Sequence, residues 1–367
     1  MNWAGKRVLL TGHTGFKGSW LALWLQQCGA ELCGFALEPA EVSVYRDARV
    51  GSGMRSVIGD IRDLALLKQT FAEHRPEIVF HLAAQPLVRS SYLDPIGTYT
   101  INVMGTANLL EAARGCASVR AIVVVTTDKC YENREWGRAY REVDRLGGYD
   151  PYSNSKACAE LVVSAYRDSF FNPSVYRLHG VAIATVRAGN VIGGGDWALD
   201  RLVPDAIRAF LADRSVQIRN PLAVRPWQHV LEPLRGYLTI AELLFEDGPA
   251  FGEAWNFGPD QHDARPVEWI VNELARQWGH GARWELGAGG QLHEGQTLRL
   301  DSSKAADRLG WHSQIRIKDA LAMTVAWYQA RLQGLDMRKF TDAQIEQYPP
   351  PVPIDIAPLP ARGEVRV

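Results

Sequence analysis

From residue 6 to about residue 186 the chain alternates short, continuously apolar, β-branched runs with longer stretches of helical periodicity. The runs at 6–11, 31–36, 56–59, 78–82, 121–126 and 181–186 predict strands. The stretches at 15–28, 63–73, 95–113 and 152–171 predict the helices between them. Strands that are apolar at nearly every position need cover on both faces. The pattern therefore predicts a doubly wound α/β fold of the Rossmann type, a parallel sheet between two helical layers. Ligands of such sheets lie at the carboxyl ends of the strands.

After residue 186 the rhythm breaks at the glycine-rich Arg187-Ala-Gly-Asn-Val-Ile-Gly-Gly-Gly195. Helices are expected at 201–213, 229–245, 266–278 and 318–332, among scattered short elements. The expected organisation has three parts: a dinucleotide-binding domain that also carries the catalytic residues (1–186), a smaller α/β substrate lobe with some segments returning to the first domain (187–335), and a proline-rich tail (336–367), extended or disordered from Tyr348 onward.

Composition narrows the setting. A hydrophobic share of 47%, a charged share of 22% and a net charge of -1 describe a globular protein without a basic field for nucleic acid. Met1-Asn-Trp-Ala-Gly-Lys-Arg7 runs straight into the first strand with no secretory pattern, and no apolar run approaches the roughly 18 residues of a membrane span, so a cytoplasmic protein is expected. Cys28, Cys33, Cys116, Cys130 and Cys158 lack CxxC spacing and clustered histidines; free thiols are expected, and no metal site.

The first strand runs into Gly12-His-Thr14-Gly15-Phe16-Lys17-Gly18 and a helix, the arrangement in which backbone turns tightly against a pyrophosphate. An acidic residue for the adenosine ribose is expected near the end of the second strand, where Ala36 stands and Glu38 follows; the missing arginine there leans the cofactor to NAD over NADP. Asp60, ahead of Ile61, is expected to accept from the adenine amine, to cap the next helix, or both. Leu82, Ala83 and Ala84 follow the fourth strand, where small residues admit a cofactor.

A hydroxyl, a carboxylate and an amine stand in a row at Thr127-Asp128-Lys129, just past the fifth strand. Tyr152 and Lys156, four apart on a predicted helix, share a face, and a neighbouring ammonium favours the phenolate. Trp227, Trp255 and Trp269 are expected to be core residues rather than a stacking platform, since the chain has 12 tryptophans.

Taken together, Gly12-x-x-Gly15-Phe-x-Gly18, Asp60-Ile61, His81-Leu-Ala-Ala84, Asn102-Val-x-Gly-Thr106, Thr127 and Tyr152-x-x-x-Lys156 resemble the extended short-chain dehydrogenases/reductases that remodel nucleotide sugars. Thr127-Asp128-Lys129 resembles the Thr-Asp-Glu of their 4,6-dehydratases with lysine for glutamate. With Ala84-Gln-Pro-Leu-Val-Arg89 and Arg187-Ala-Gly-Asn-Val-Ile-Gly-Gly-Gly-Asp-Trp197, that lysine looks like the branch acting on CDP-glucose. The resemblance covers about residues 3 to 335.

It implies that Tyr152, Lys156, Thr127, Asp128 and Lys129 are catalytic and that NAD is the cofactor, held by Gly12, Thr14, Gly15, Phe16, Lys17, Gly18, Asp60, Ile61, Leu82, Ala83, Ala84, Asn102, Tyr152 and Lys156. Lys129 would take the C5 proton and Asp128 protonate the leaving 6-hydroxyl, roles that demand a neutral amine and a protonated carboxyl. Gln85 and Arg89 would reach the hexose. Asn190, Arg201, Leu202, Arg225 and His293 would bind the remainder of the substrate, with the arginines on its diphosphate. The resemblance also implies pairing into a homodimer, or a dimer of dimers, through the 95–113 and 152–171 helices, and a place in deoxyhexose synthesis for surface polysaccharide. A dehydratase or C4 epimerase of another nucleotide sugar, and a non-catalytic NAD-binding sensor, remain the alternatives.

Overall fold

A computed structural model describes residues 1–279, 281–287 and 297–349. Its main sheet comprises β1 (Arg7–Thr11), β2 (Glu31–Ala36), β3 (Arg55–Ile58), β4 (Ile78–His81), β5 (Ala121–Val125) and β6 (Ala182–Ala188), joined by a later strand (Ala254–Phe257) beside β6. Every pairing is parallel, and the order from that late strand is β6, β5, β4, β1, β2, β3. The chain thus winds outward in both directions from the boundary between β1 and β4, which opens the crevice expected of this topology.

Alternate residues of the strands go to opposite faces. Val8, Leu10, Phe80, Val123 and Ala184 join one core with Trp20 and Leu21 of the Phe16–Gln27 helix, Leu234 and Tyr237 of the Leu231–Asp247 helix, and Leu321 and Trp327 of the Ile317–Leu332 helix. Leu9, Phe35, Val79, Ile122 and Ile183 join the other, with Leu67 and Phe71 of Leu64–His74, Leu109 of Gly105–Arg114 and Val163 of Pro151–Ser169.

The expected helix over 95–113 is broken. Pro95–Tyr99 leads into a π-helical turn, Thr100–Met104, before Gly105–Arg114; such turns recur at functional sites, and this one carries Asn102. The later strands β7 (Asn190–Ile192), β8 (Val216–Ile218) and β9 (Val224–His229) border the crevice. β9 pairs with β7 in parallel and with Ala264–Pro266 antiparallel, while β8 pairs with Trp284–Leu286. Among the described residues no helix is long and apolar enough to cross a membrane.

The beginning of the tail, ahead of the stretch expected to be extended, is helical. Met337–Glu346 is a helix, capped by Asp336, because Met337, Thr341, Gln344 and Ile345 form a buried stripe ahead of the first proline. Trp327 Nε1 donates to Thr341 Oγ1 (2.9 Å), and Gln27 Nε2 donates to Asp342 O (3.1 Å). Tyr348 is buried beside Trp24; its hydroxyl donates to Glu232 Oε2 (3.0 Å) and accepts from Arg235 Nε (3.1 Å). The proline-rich remainder, 350–367, lies outside the described residues.

Candidate active site

The turn after β1 is built for close approach. Gly12 has φ +77°, and a Cβ there would stand 2.7 Å from Ala83 N and 2.8 Å from Leu82 C, so both backbone and neighbours require glycine. A Cβ at Gly15 would meet only Gly12 O, at 3.4 Å, which leaves that side of the turn open before the Phe16–Gln27 helix. Thr14 Oγ1 ties the turn to the end of β2 by donating to Leu37 O (2.9 Å). Across the switch point, Thr11 Oγ1 accepts from Leu82 N and Ala83 N, both at 3.2 Å, and pairs with buried His81 Nδ1 at 2.7 Å. An open glycine turn, a helix N-terminus and small residues at the end of β4 fit a dinucleotide pyrophosphate.

Three expected residues behave differently from the sequence reading. Asp60 does not cap the following helix: Asp63 does, accepting from Leu66 N at 3.0 Å, while Asp60 holds Arg62 through both carboxylate oxygens (2.9 and 2.6 Å). Gln85 does not present its amide to the cleft. Its Nε2 donates to Leu87 O (3.1 Å) and Thr98 Oγ1 (2.9 Å), and its Oε1 accepts from Leu87 N (2.5 Å), so its own loop saturates it. Asn102 is spent on the scaffold as well: Oδ1 accepts from Gln85 N (2.8 Å), and Nδ2 donates to Gln85 O (3.1 Å) and Ser155 Oγ (2.9 Å). The π-turn thereby fastens the loop after β4 to the Pro151–Ser169 helix. Ile61 is buried and packs near Gly105.

The catalytic candidates converge at the end of β5. Asp150 caps the Pro151–Ser169 helix, accepting from Ser153 N (2.9 Å), and the helix aims Tyr152 and Lys156 at the turn Asp128–Cys130. Lys156 is buried and donates from Nζ to Val125 O (2.9 Å); burial lowers it to about 8. Burial pushes the Tyr152 phenol up to about 12, and the Thr127 hydroxyl, within hydrogen-bonding reach, is the foremost influence in the other direction. Thr127 Oγ1 also donates to Asp128 Oδ1 (3.0 Å). Asp128 Oδ2 is buried without a hydrogen-bond partner, and burial raises that carboxyl despite the nearby Lys129 charge. No ion pair joins Asp128 to half-buried Lys129 among the described residues. Cys130, buried with its thiol pushed up, is packed rather than reactive.

Thr127, Asp128, Lys129 and Tyr152 line a cleft of 440 Å³ that also takes in Phe16, Lys17, Arg89, Asn190, Arg201, Leu202 and Arg225, a size typical of small-molecule sites. Burial, and then the charges of Arg201 and Lys156, lower Lys17 to about 8. Arg201 pairs with Asp196 (2.9 Å) and Arg89 with Asp200 (3.3 Å). His293 falls outside the described residues. Arg219, Asp196 and Asp200 also line the cleft and were missed in the sequence; the available signal was charge placed beside glycine-rich and strand-end segments. Trp255 and Trp227 are core residues as expected, although Trp227 also borders the cleft, and Trp269 lies half-buried beneath Arg265, packed against the same core.

Comparison with known proteins agrees with this geometry. Residues 8–258 match the model of the NAD dependent epimerase/dehydratase family. The chain is 54% identical over 347 residues to CDP-glucose 4,6-dehydratase of Salmonella typhimurium, covering 94% of this chain and 97% of that one. It is 29% identical over 346 residues to dTDP-glucose 4,6-dehydratase of Streptomyces antibioticus, covering 88% and 92%. In fold it matches dTDP-glucose 4,6-dehydratase from Bacillus anthracis in complex with NAD, with a TM-score of 0.74, 21% identity, and 90% and 99% of the two chains covered.

Proposed function

The chain belongs to the NAD dependent epimerase/dehydratase family, and on that premise we propose that it converts CDP-glucose to CDP-4-dehydro-6-deoxyglucose, a hydro-lyase reaction. The carrying observation is Asp128: a buried carboxyl with one oxygen unpartnered, next to Lys129 and in one cleft with Thr127 and Tyr152. An epimerase of this fold needs no such acid and base. The Salmonella typhimurium relative supports cytidine as the nucleoside.

The turn of Gly12 and Gly15, with the N-terminus of the Phe16–Gln27 helix, would hold NAD, which would supply the acceptor for the C4 hydride and its return to C6. Tyr152 takes the proton from the 4-hydroxyl, which Thr127 orients. Lys129 removes the C5 proton made acidic by the adjacent ketone, and Asp128, whose burial favours the protonated form, delivers a proton to the departing 6-hydroxyl. Arg201 and Arg225 bind the diphosphate, with Asn190 and Leu202 beside it and Arg89 toward the sugar. Glu38, exposed just past β2, opposes a 2'-phosphate and so favours NAD over NADP. The setting is the cytoplasm, and the product serves deoxysugar synthesis.

The test is to incubate the protein with CDP-glucose, dTDP-glucose, UDP-glucose and GDP-mannose separately, following 4-keto-6-deoxy sugar without net reduction of NAD. Product from CDP-glucose alone is expected; product only from another nucleotide sugar overturns the substrate assignment.

The chain also pairs with a second copy. Ile96, Met104 and Leu161 are exposed on the helical segments that the resemblance assigns to an interface, and Leu93 is exposed just ahead of the first of them. Sedimentation is expected to give a dimer or a multiple of one, and Ile96→Asp with Leu161→Asp a monomer; a monomeric parent protein refutes the pairing.

A further inference from the structure

We infer that Glu160 is a positioning residue for this reaction, holding the catalytic turn in register with the Tyr152–Lys156 face of its helix. Tyr152, Lys156 and Glu160 are spaced four apart and share that face. They address three consecutive residues at the end of β5. Lys156 Nζ donates to Val125 O (2.9 Å), Glu160 Oε1 accepts from Thr126 Oγ1 (2.5 Å), and Tyr152 lies within hydrogen-bonding reach of Thr127.

Glu160 itself is immobilised. It is 5% exposed; Oε1 also accepts from Arg187 Nε (2.8 Å), while Oε2 accepts from Arg187 Nη2 (2.9 Å) and Thr185 Oγ1 (2.6 Å). Arg187, on β6 and 3% exposed, reaches past this bidentate pair to donate from Nη1 to the Tyr131 hydroxyl (2.7 Å). That hydroxyl donates to Asn256 Oδ1 (2.8 Å). The reacting residues thus sit between two clamped neighbours, Thr126 held by Glu160 and Tyr131 held by Arg187. A fully desolvated ion pair is a poor source of net stability. Its geometric consequence is specific: it fixes both flanks of the segment that carries Thr127, Asp128 and Lys129.

The test is Thr126→Val, which removes the hydroxyl but leaves the Glu160–Arg187 pair intact, with Thr126→Ser as the conservative rescue. For Thr126→Val we expect kcat to fall roughly ten- to a hundredfold, as for a small misplacement of reacting groups. The nucleotide-sugar KM and the melting temperature should stay near those of the parent. The acid limb of the kcat profile should move to higher pH, because Tyr152 loses its alignment with the Thr127 hydroxyl; the other titratable groups facing the phenol, Asp128, Asp150, Lys156, Arg201 and Tyr237, are unaltered. Thr126→Ser should restore both kcat and profile. Tyr131→Phe, loosening the other flank, should reproduce the loss and the shift.

An unchanged kcat in Thr126→Val, or a loss of kcat with an unmoved profile, overturns the inference, as does failure of serine to rescue. The inference rests on the proposed reaction for the role of Tyr152. A parent protein inactive on every nucleotide sugar refutes that reaction, whereas an active parent with an indifferent Thr126→Val refutes the positioning alone.

Discussion

Lys129→Ala should separate the two halves of the reaction. The variant retains Tyr152, Lys156 and Thr127, so mixing with CDP-glucose should still oxidise C4 and show the near-ultraviolet band of reduced nicotinamide. Elimination then stalls, because nothing removes the C5 proton, and the band persists instead of decaying. Turnover should fall by about 10²- to 10⁴-fold, the usual contribution of one positioned base. Asp128→Asn should stall at a later point: Lys129 can still exchange the C5 proton with solvent deuterium while the hydroxyl fails to leave. Deuterium appearing at C5 in Asp128→Asn but not in Lys129→Ala supports the division of roles, and the reverse pattern exchanges them. Dehydration by Lys129→Ala at the parent rate places the base elsewhere. The unpartnered Asp128 Oδ2 and the absence of an Asp128–Lys129 ion pair among the described residues leave both side chains available for substrate.

Tyr152→Phe should block the reaction before any hydride moves. The ring still fills its buried position, so folding and KM should change little, but the 4-hydroxyl loses the group that takes its proton. No reduced nicotinamide should appear on mixing, and kcat should fall by about 10²- to 10⁴-fold. In the parent protein the phenol must ionise against burial, which raises it to about 12. A raised pKa leaves the phenolate scarce at neutral pH, so kcat should climb with pH until a second group limits it. That climb should be missing in Tyr152→Phe; a phenylalanine variant with the parent's rate and pH profile would remove Tyr152 from the mechanism.

The fold was legible where periodicity is unambiguous. The continuous apolar run at Glu31–Ala36 is a strand with the expected bounds, and the glycines after β1 announced the turn. The break at Thr100–Met104 was hidden because a π-turn keeps helical composition, and it coincides with the tertiary hydrogen bonds of Asn102. The small sheets around β9 were hidden because strands of three residues carry too few positions for a period to register. In the site, residue type and order pointed to Thr127, Asp128, Lys129 and Tyr152, which the fold gathers in one cleft. They could not tell that Gln85 turns its amide away from the cleft, since side-chain direction there depends on Leu87 O in its own loop and on Thr98 in the Pro95–Tyr99 helix. Arg219 escaped for the same reason: only the folded cleft brings β8's end to the catalytic turn.

The anchoring of Tyr348 between Trp24 and the Glu232–Arg235 pair bears on how the protein is made. One face of the sheet, covered by the helix of Trp20 and Trp24, is completed by side chains that are synthesised long after that helix. At about 5–20 residues per second, the first helix waits roughly tens of seconds for its final neighbours. Nascent chains therefore carry an unfinished apolar surface through most of translation, and a stop codon upstream of residue 337 would leave that surface permanently open to chaperones and proteases.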